Sequence, residues 1–144
     1  MRAFLSWSGE TSKAVAGALF DWLPQVIHLL KPWMSDHDIG AGAAWDTELA
    51  GALADPKFGV ICLTRDCLKA PWIMFEAGAL WKAYESKRVC PYLFRLAIAD
   101  LDGPLSRFQS VLADEEGTKN LVLSINRGLS EPLPETRVEE AFGM

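Results

Sequence analysis

The sequence is short of the residues that staple or metallate small proteins. Its 144 residues include only three cysteines, Cys62, Cys67 and Cys90, and two histidines, His28 and His37. There is no C-x-x-C spacing and the histidines stand apart, which argues against a zinc site or a disulfide framework. Cys62 and Cys90 sit inside apolar runs and read as small buried hydrophobes in a reducing compartment. Basic runs are missing too: 14 Lys and Arg against 19 Asp and Glu leave a net charge of −5. Sequence-independent nucleic-acid binding and polybasic membrane anchoring both draw on clustered Lys and Arg, so neither is expected. No apolar run reaches the roughly 18 residues of a membrane span, because Glu76 and Lys82 interrupt the best candidate. The opening Met1–Ser6 turns polar too soon for a signal peptide. A soluble, cytoplasmic chain is expected.

Half of the residues are hydrophobic and 23% are charged, the balance of a globular core under a solvated shell. The pattern alternates between strand and helix. Arg2 to Ser6 is a short apolar run followed by a loop, Trp7-Ser8-Gly9. Val15, Leu19, Trp22, Leu23 and Val26 then form one stripe of a helix, with Thr11 or Ser12 as its cap and Pro24 expected to end or kink it. Pro32 to Ser35 reads as a second strand and Asp36 to Ala44 as a Gly-rich loop. Trp45, Leu49 and Leu53 mark a helix stopped at Asp55-Pro56. Phe58 to Leu63, apolar on both faces, reads as a central parallel strand.

A helix from Pro71 to about Ser86, a strand from Val89 to Phe94, a turn at Asp102-Gly103-Pro104 and a weaker edge strand at Phe108 to Leu112 follow. A last helix around Thr118 to Arg127 closes at Gly128. This alternation predicts an α/β fold: a five-stranded parallel sheet, flavodoxin-like and doubly wound, with helices on both faces. The domain is expected to span 1–128. Residues 129–144, with Glu131-Pro132-Leu133-Pro134 and a helical pattern from Glu135 to Phe142, read as a linker or the start of a helix leading to a further domain.

Open parallel sheets bind ligands beyond the carboxyl ends of their strands. That rule singles out Ser6-Trp7-Ser8-Gly9, the loop from Ser35 to Trp45, Thr64-Arg65-Asp66, and Arg95. Hydroxyls, aromatics and two arginines suit an aromatic ligand carrying phosphates. Glu76 is the sharper signal. Its helical neighbours at i±3 and i±4 are Trp72, Ile73, Ala79 and Leu80, so no local cation pairs with it. A desolvated carboxylate costs several kcal/mol in order of magnitude, so it either opens into a pocket or is satisfied from elsewhere, by a loop amide or Arg65. Glu85, flanked by Lys82 and Arg88, is an ordinary surface pair; Glu48 is the second lone carboxylate. Trp22, Phe20 and Phe58 read as core, whereas Trp7, Trp33, Trp45 and Trp72 gather at strand ends and loops. Neither a P-loop, nor G-x-G-x-x-G after the first strand, nor G-x-S-x-G is present, which disfavours an NTPase, a Rossmann oxidoreductase and an α/β-hydrolase. The acidic cluster of a response regulator is missing as well.

Four boxes in order resemble the Toll/interleukin receptor (TIR) domain. They are Arg2-Ala3-Phe4-Leu5-Ser6-Trp7-Ser8; the segment from Ser35 to Trp45 with Asp38-Ile39; Trp72-Ile73-Met74-Phe75-Glu76, which matches the W-x-x-x-E signature of NAD-cleaving members; and Gly103-Pro104-Leu105 before Phe108-Gln109. The Arg-Asp…Pro-Gly pattern of animal adaptor members is absent, and the boxes look like the bacterial form. The resemblance implies a flavodoxin-like fold and cleavage of NAD+ to nicotinamide and ADP-ribose or a cyclic isomer. It makes Glu76 the essential residue, with Ser6, Trp7, Ser8, Trp33, Asp38, Trp45, Arg65 and Trp72 as substrate contacts. NAD+ is then substrate, and no cofactor or metal is implied. Lateral TIR–TIR self-association, a fused or associated sensor domain and an effector role in bacterial anti-phage immunity complete that expectation. A non-catalytic TIR–TIR docking module is the alternative.

Overall fold

The computed structural model describes residues 2–28, 30–34, 58–68, 88–101, 105–106, 108–129 and 132–142. Five strands, β1 (Arg2–Ser6), β2 (Lys31–Met34), β3 (Phe58–Leu63), β4 (Val89–Leu93) and β5 (Val111–Leu112), form one sheet in the order β2-β1-β3-β4-β5. Every pairing is parallel, with Leu5 beside Met34 and Val60, and Ile61 beside Pro91. This is the predicted flavodoxin-like winding. Three α-helices are described, α1 (Glu10–Val26), α2 (Glu115–Arg127) and α3 (Glu135–Phe142).

Strand alternation divides the core. Ala3, Leu5, Val60, Cys62 and Tyr92 join a buried cluster with Leu19 and Leu23 of α1 and with Leu121, Val122 and Ile125 of α2. On the opposite face Phe4, Ile61, Leu63 and Leu93 are equally buried. A sheet buried on both faces needs the continuous apolar runs seen in β3 and β4. Cys62 and Cys90 are both buried thiols, in keeping with their apolar surroundings.

Local structure departs from the sequence reading at identifiable points. The N-cap of α1 is Gly9, at φ +85°, and no side chain caps it; Ser12 is turned inward instead. The helix also runs through Pro24 to Val26. Leu23 and Val26, buried on either side of the proline, hold the last turn against the sheet and offset the lost backbone hydrogen bond. Phe20, expected in the core, is 38% exposed, because it follows Leu19 by about 100° around the helix and leaves the buried stripe.

Strand β5 keeps only two of its five predicted residues. The Phe108 N–H is spent on the Leu105 carbonyl at 3.4 Å, a turn that holds it out of the ladder. Helix α2 begins three residues before the predicted Thr118, because Asp114 caps it by accepting from the Gly117 N–H at 2.7 Å.

After α2 the chain folds back. The Asn126 side chain brackets Leu133, donating from Nδ2 to its carbonyl at 2.8 Å and accepting its N–H at 2.9 Å. Val138 of α3 is buried in the core cluster. The ion pairs Arg127–Glu135 and Lys119–Glu139 also join the helices, at 3.0 and 3.5 Å. Both are solvent-exposed and each contributes at most about 1 kcal/mol. The buried valine and the asparagine bracket therefore carry the docking. Among the described residues no helix is long and apolar enough to cross a membrane.

Candidate functional site

The strand order reverses between β1 and β3: the chain leaves β1 toward β2 on one side and returns to β3 on the other. At such a switch point the loops leaving the two strands diverge and open a crevice at the carboxyl edge. Its borders are Ser6–Gly9 and Thr64–Asp66.

Ser12, one turn into α1, ties these borders together. It is fully buried; its Oγ accepts the Ser8 N–H at 3.0 Å and donates to the Cys62 carbonyl at 2.7 Å. The first loop is thus bonded through a hydroxyl to the end of β3. On the other side, Thr64 donates its hydroxyl proton to the Asp66 carboxylate. Gly9 passes close to that carboxylate: a Cβ there would lie 3.4 Å from Asp66 Oδ2. Space permits a side chain, but φ +85° favours glycine.

Cations gather at the same edge of this net acidic chain. Lys13 Nζ lies 5.1 Å from the centroid of the Trp7 ring, within cation–π range. Arg65 follows Thr64 and approaches Asp100 at 3.9 Å with its side chain 73% exposed. Asp100 is anchored by the Ala97 N–H at 2.9 Å, so it restrains the guanidinium loosely. Arg95 follows β4, next to the Phe94 N–H that reaches the Leu63 carbonyl at 2.9 Å. It holds a left-handed φ of +58° with its guanidinium 5.0 Å from the Phe94 centroid. Non-glycine residues seldom adopt that conformation, and here it turns the chain at the end of the sheet. Three cations beside hydroxyls and a helix N-terminus suit an anionic ligand.

The predicted site residues fall into two groups. Ser6 and Trp7 are buried at the crevice, Trp7 being 8% exposed and part of the core cluster, while Ser8 is half-buried. Arg65 stands on the opposite border. Trp33 is the third residue of β2, in register with Phe4. Asp38, Trp45, Trp72 and Glu76 lie outside the described residues, as do Glu48, the loop from Ser35 to Trp45, both predicted helices between β2 and β4, and the turn at 102–104. The structure adds Lys13 and gives the buried Ser12, expected as a helix cap, a place at the site. Lys13 and Trp7 flank a loop-to-helix junction, where helical spacing rules do not operate. The one available signal for Ser12 was a hydroxyl one turn before the inward-facing Ala16 and Leu19.

No curated protein matches the chain. Among solved structures, the TIR domains of the activated Roq1 resistosome directly recognising the pathogen effector XopQ superpose with a TM-score of 0.51. That match has 18% sequence identity and covers 99% of this chain and 84% of the other, a likeness of fold. A sequence-family profile, that of the TIR domain, matches residues 3–122. The match takes in every strand of the sheet and the switch-point crevice, and on that ground this chain belongs to the TIR-domain family.

Proposed function

We propose that this TIR domain cleaves the nicotinamide–ribose bond of NAD+, with Glu76 as the catalytic residue. The observation that carries the reading is the W-x-x-x-E signature, Trp72 to Glu76, in the segment after β3, whose carboxyl end borders the crevice. Nicotinamide departs as a neutral base from a pyridinium, so the leaving group needs no proton, and the acid–base pair of an O-glycosidase reduces to one carboxylate. Glu76 is assigned to the nicotinamide ribose, where it stabilises the oxocarbenium-like charge growing at the anomeric carbon. Water then yields ADP-ribose; an internal nucleophile yields a cyclic isomer. Ser6, Trp7, Ser8 and the aromatic residues Trp33, Trp45 and Trp72, with Asp38, are assigned to positioning the nicotinamide end. The pyrophosphate is given to the cations of the carboxyl edge, Arg65 first. Their gathering on a chain of net charge −5 supports that assignment.

The same reading makes the protein a cytoplasmic effector of bacterial anti-phage immunity, switched on by self-association and working with a fused or associated sensor domain. Support comes from the resemblance of its boxes to bacterial members.

The test is to cluster the protein on a surface or by fusion, add NAD+ and resolve the products by chromatography. Clustered wild type should release nicotinamide, and Glu76→Gln should slow release about 10²- to 10⁴-fold, equivalent to ~3–5 kcal/mol of barrier. Equal turnover by the two proteins would remove Glu76 from the mechanism. Inactivity of the clustered wild type would leave the docking-module reading standing.

A further inference from the structure

We infer that the amino edge of the sheet holds a second binding site, one for a small organic monoanion with an apolar body. The inference is independent of the NAD+ reading. The β4–β5 ladder covers only Tyr92 and Leu93, so Val89 and Cys90 lie beyond it. Between them and α2 opens a cavity of about 540 Å³, within the size range of small-molecule sites. Phe58, Val89, Cys90, Phe108 and Leu123 supply apolar walls. Across from them α2 presents Asn120, Ser124 and Arg127, spaced i, i+4 and i+7 on one helical stripe.

Ser110 also stands on the wall of this cavity, with its Oγ closed off from solvent and without a hydrogen-bond partner.

The charge of the mouth selects the ligand. An adjoining cavity of about 340 Å³ shares Phe58, Gln109, Ser124 and Arg127 and adds Arg88. Arg127 is bound through Nε to Glu135 at 3.0 Å, which offsets one of the two guanidinium charges. The remaining single positive charge matches a carboxylate better than a phosphate dianion. The acid group sits between Arg88 and Arg127, and an aryl or short alkyl body lies beside Phe58 and Phe108. Phe58 opens β3 and Leu63 closes it, about 17 Å away at ~3.3 Å per residue, so this end of the cavity is distant from the carboxyl-edge crevice; Ile98, which follows β4, lines it as well.

Amide-resolved NMR titration of the whole chain with phenylacetate, and with phenylacetamide as the neutral control, tests the assignment. Saturable shifts are expected at Gln109, Ser110, Ser124 and Arg127, with the acid binding about tenfold more tightly than the amide. The double variant Arg88→Gln/Arg127→Gln, altering the guanidiniums at the mouth, should erase that preference; Ser124→Trp should abolish both responses. The site is overturned by absence of saturable shifts at those amides, by equal affinity for acid and amide, or by shifts confined to Ser6–Gly9 and Thr64–Asp66. Shifts that follow protein concentration and ignore the acid would make the patch a self-association face and overturn it equally.

Discussion

Ser12 occupies a helix position where an apolar side chain would ordinarily meet the sheet, and its hydroxyl joins a loop and a strand that share no sequence neighbourhood. Removing it strands the Ser8 N–H and takes one hydrogen bond from the Cys62 carbonyl. Ser12→Ala should therefore cost about 1–3 kcal/mol, measured as a lowered urea midpoint at unchanged slope. NAD+ turnover should fall as well, since the Ser6–Gly9 loop loses its tether. Unchanged stability would mean that water replaces the hydroxyl. Ser12 was visible in the sequence as a hydroxyl near a helix start, and its expected role there was a cap. Gly9 fills that position with a left-handed φ, and the serine is free to turn toward β3. Composition near a helix start cannot distinguish those two uses of a hydroxyl; the partner, Cys62, lies 50 residues away.

The joint between β5 and α2 shows how far an element can be read in advance. The helix was legible from Leu121, Val122 and Ile125, and Gly128 closes it as expected. Its beginning was not, because Asp114 caps it only where the chain leaves a two-residue strand whose length is set by the Phe108 turn. Gly117 is the tight point. A Cβ there would come within 1.9 Å of the Leu112 carbonyl oxygen, a backbone atom that cannot rotate aside. On helix propensity alone Gly117→Ala would stabilise by about 1 kcal/mol. The contact reverses the sign, and the substitution should destabilise by ~3 kcal/mol as β5 is forced from α2. Thermal unfolding of the variant checks this; a raised midpoint would show that β5 yields freely.

Across the whole molecule, burial of ionisable groups ties stability to pH. Burial pushes the Cys90 thiol up to about 12 from an ordinary 9.0, partly opposed by a hydrogen bond with the Val111 backbone. Burial also raises the Tyr92 phenol, with the Thr118 hydroxyl working against it. Below pH 9 the Cys90 thiol is neutral in both states and its contribution is fully present. Between 9 and about 12 the unfolded chain releases the proton and the folded one keeps it, so stability falls as pH rises, by at most about 1.4 kcal/mol per unit. Wild type should lose more stability than Cys90→Ala between about pH 8 and about pH 10.5 in urea titrations, and parallel losses would show that the thiol is solvated. What the sequence determined by itself is the order of the sheet's parts. The continuous apolar runs of β3 and β4 and the strand–helix alternation admit few arrangements other than a parallel sheet, because local patterns of burial repeat along the chain. Tertiary structure alone decided which distant groups meet: Ser12 with Cys62, Lys13 over Trp7, Asn126 around Leu133, and the polar stripe of α2 facing a cavity. Such meetings depend on where separate strands end in space, a quantity to which residue spacing carries no signal.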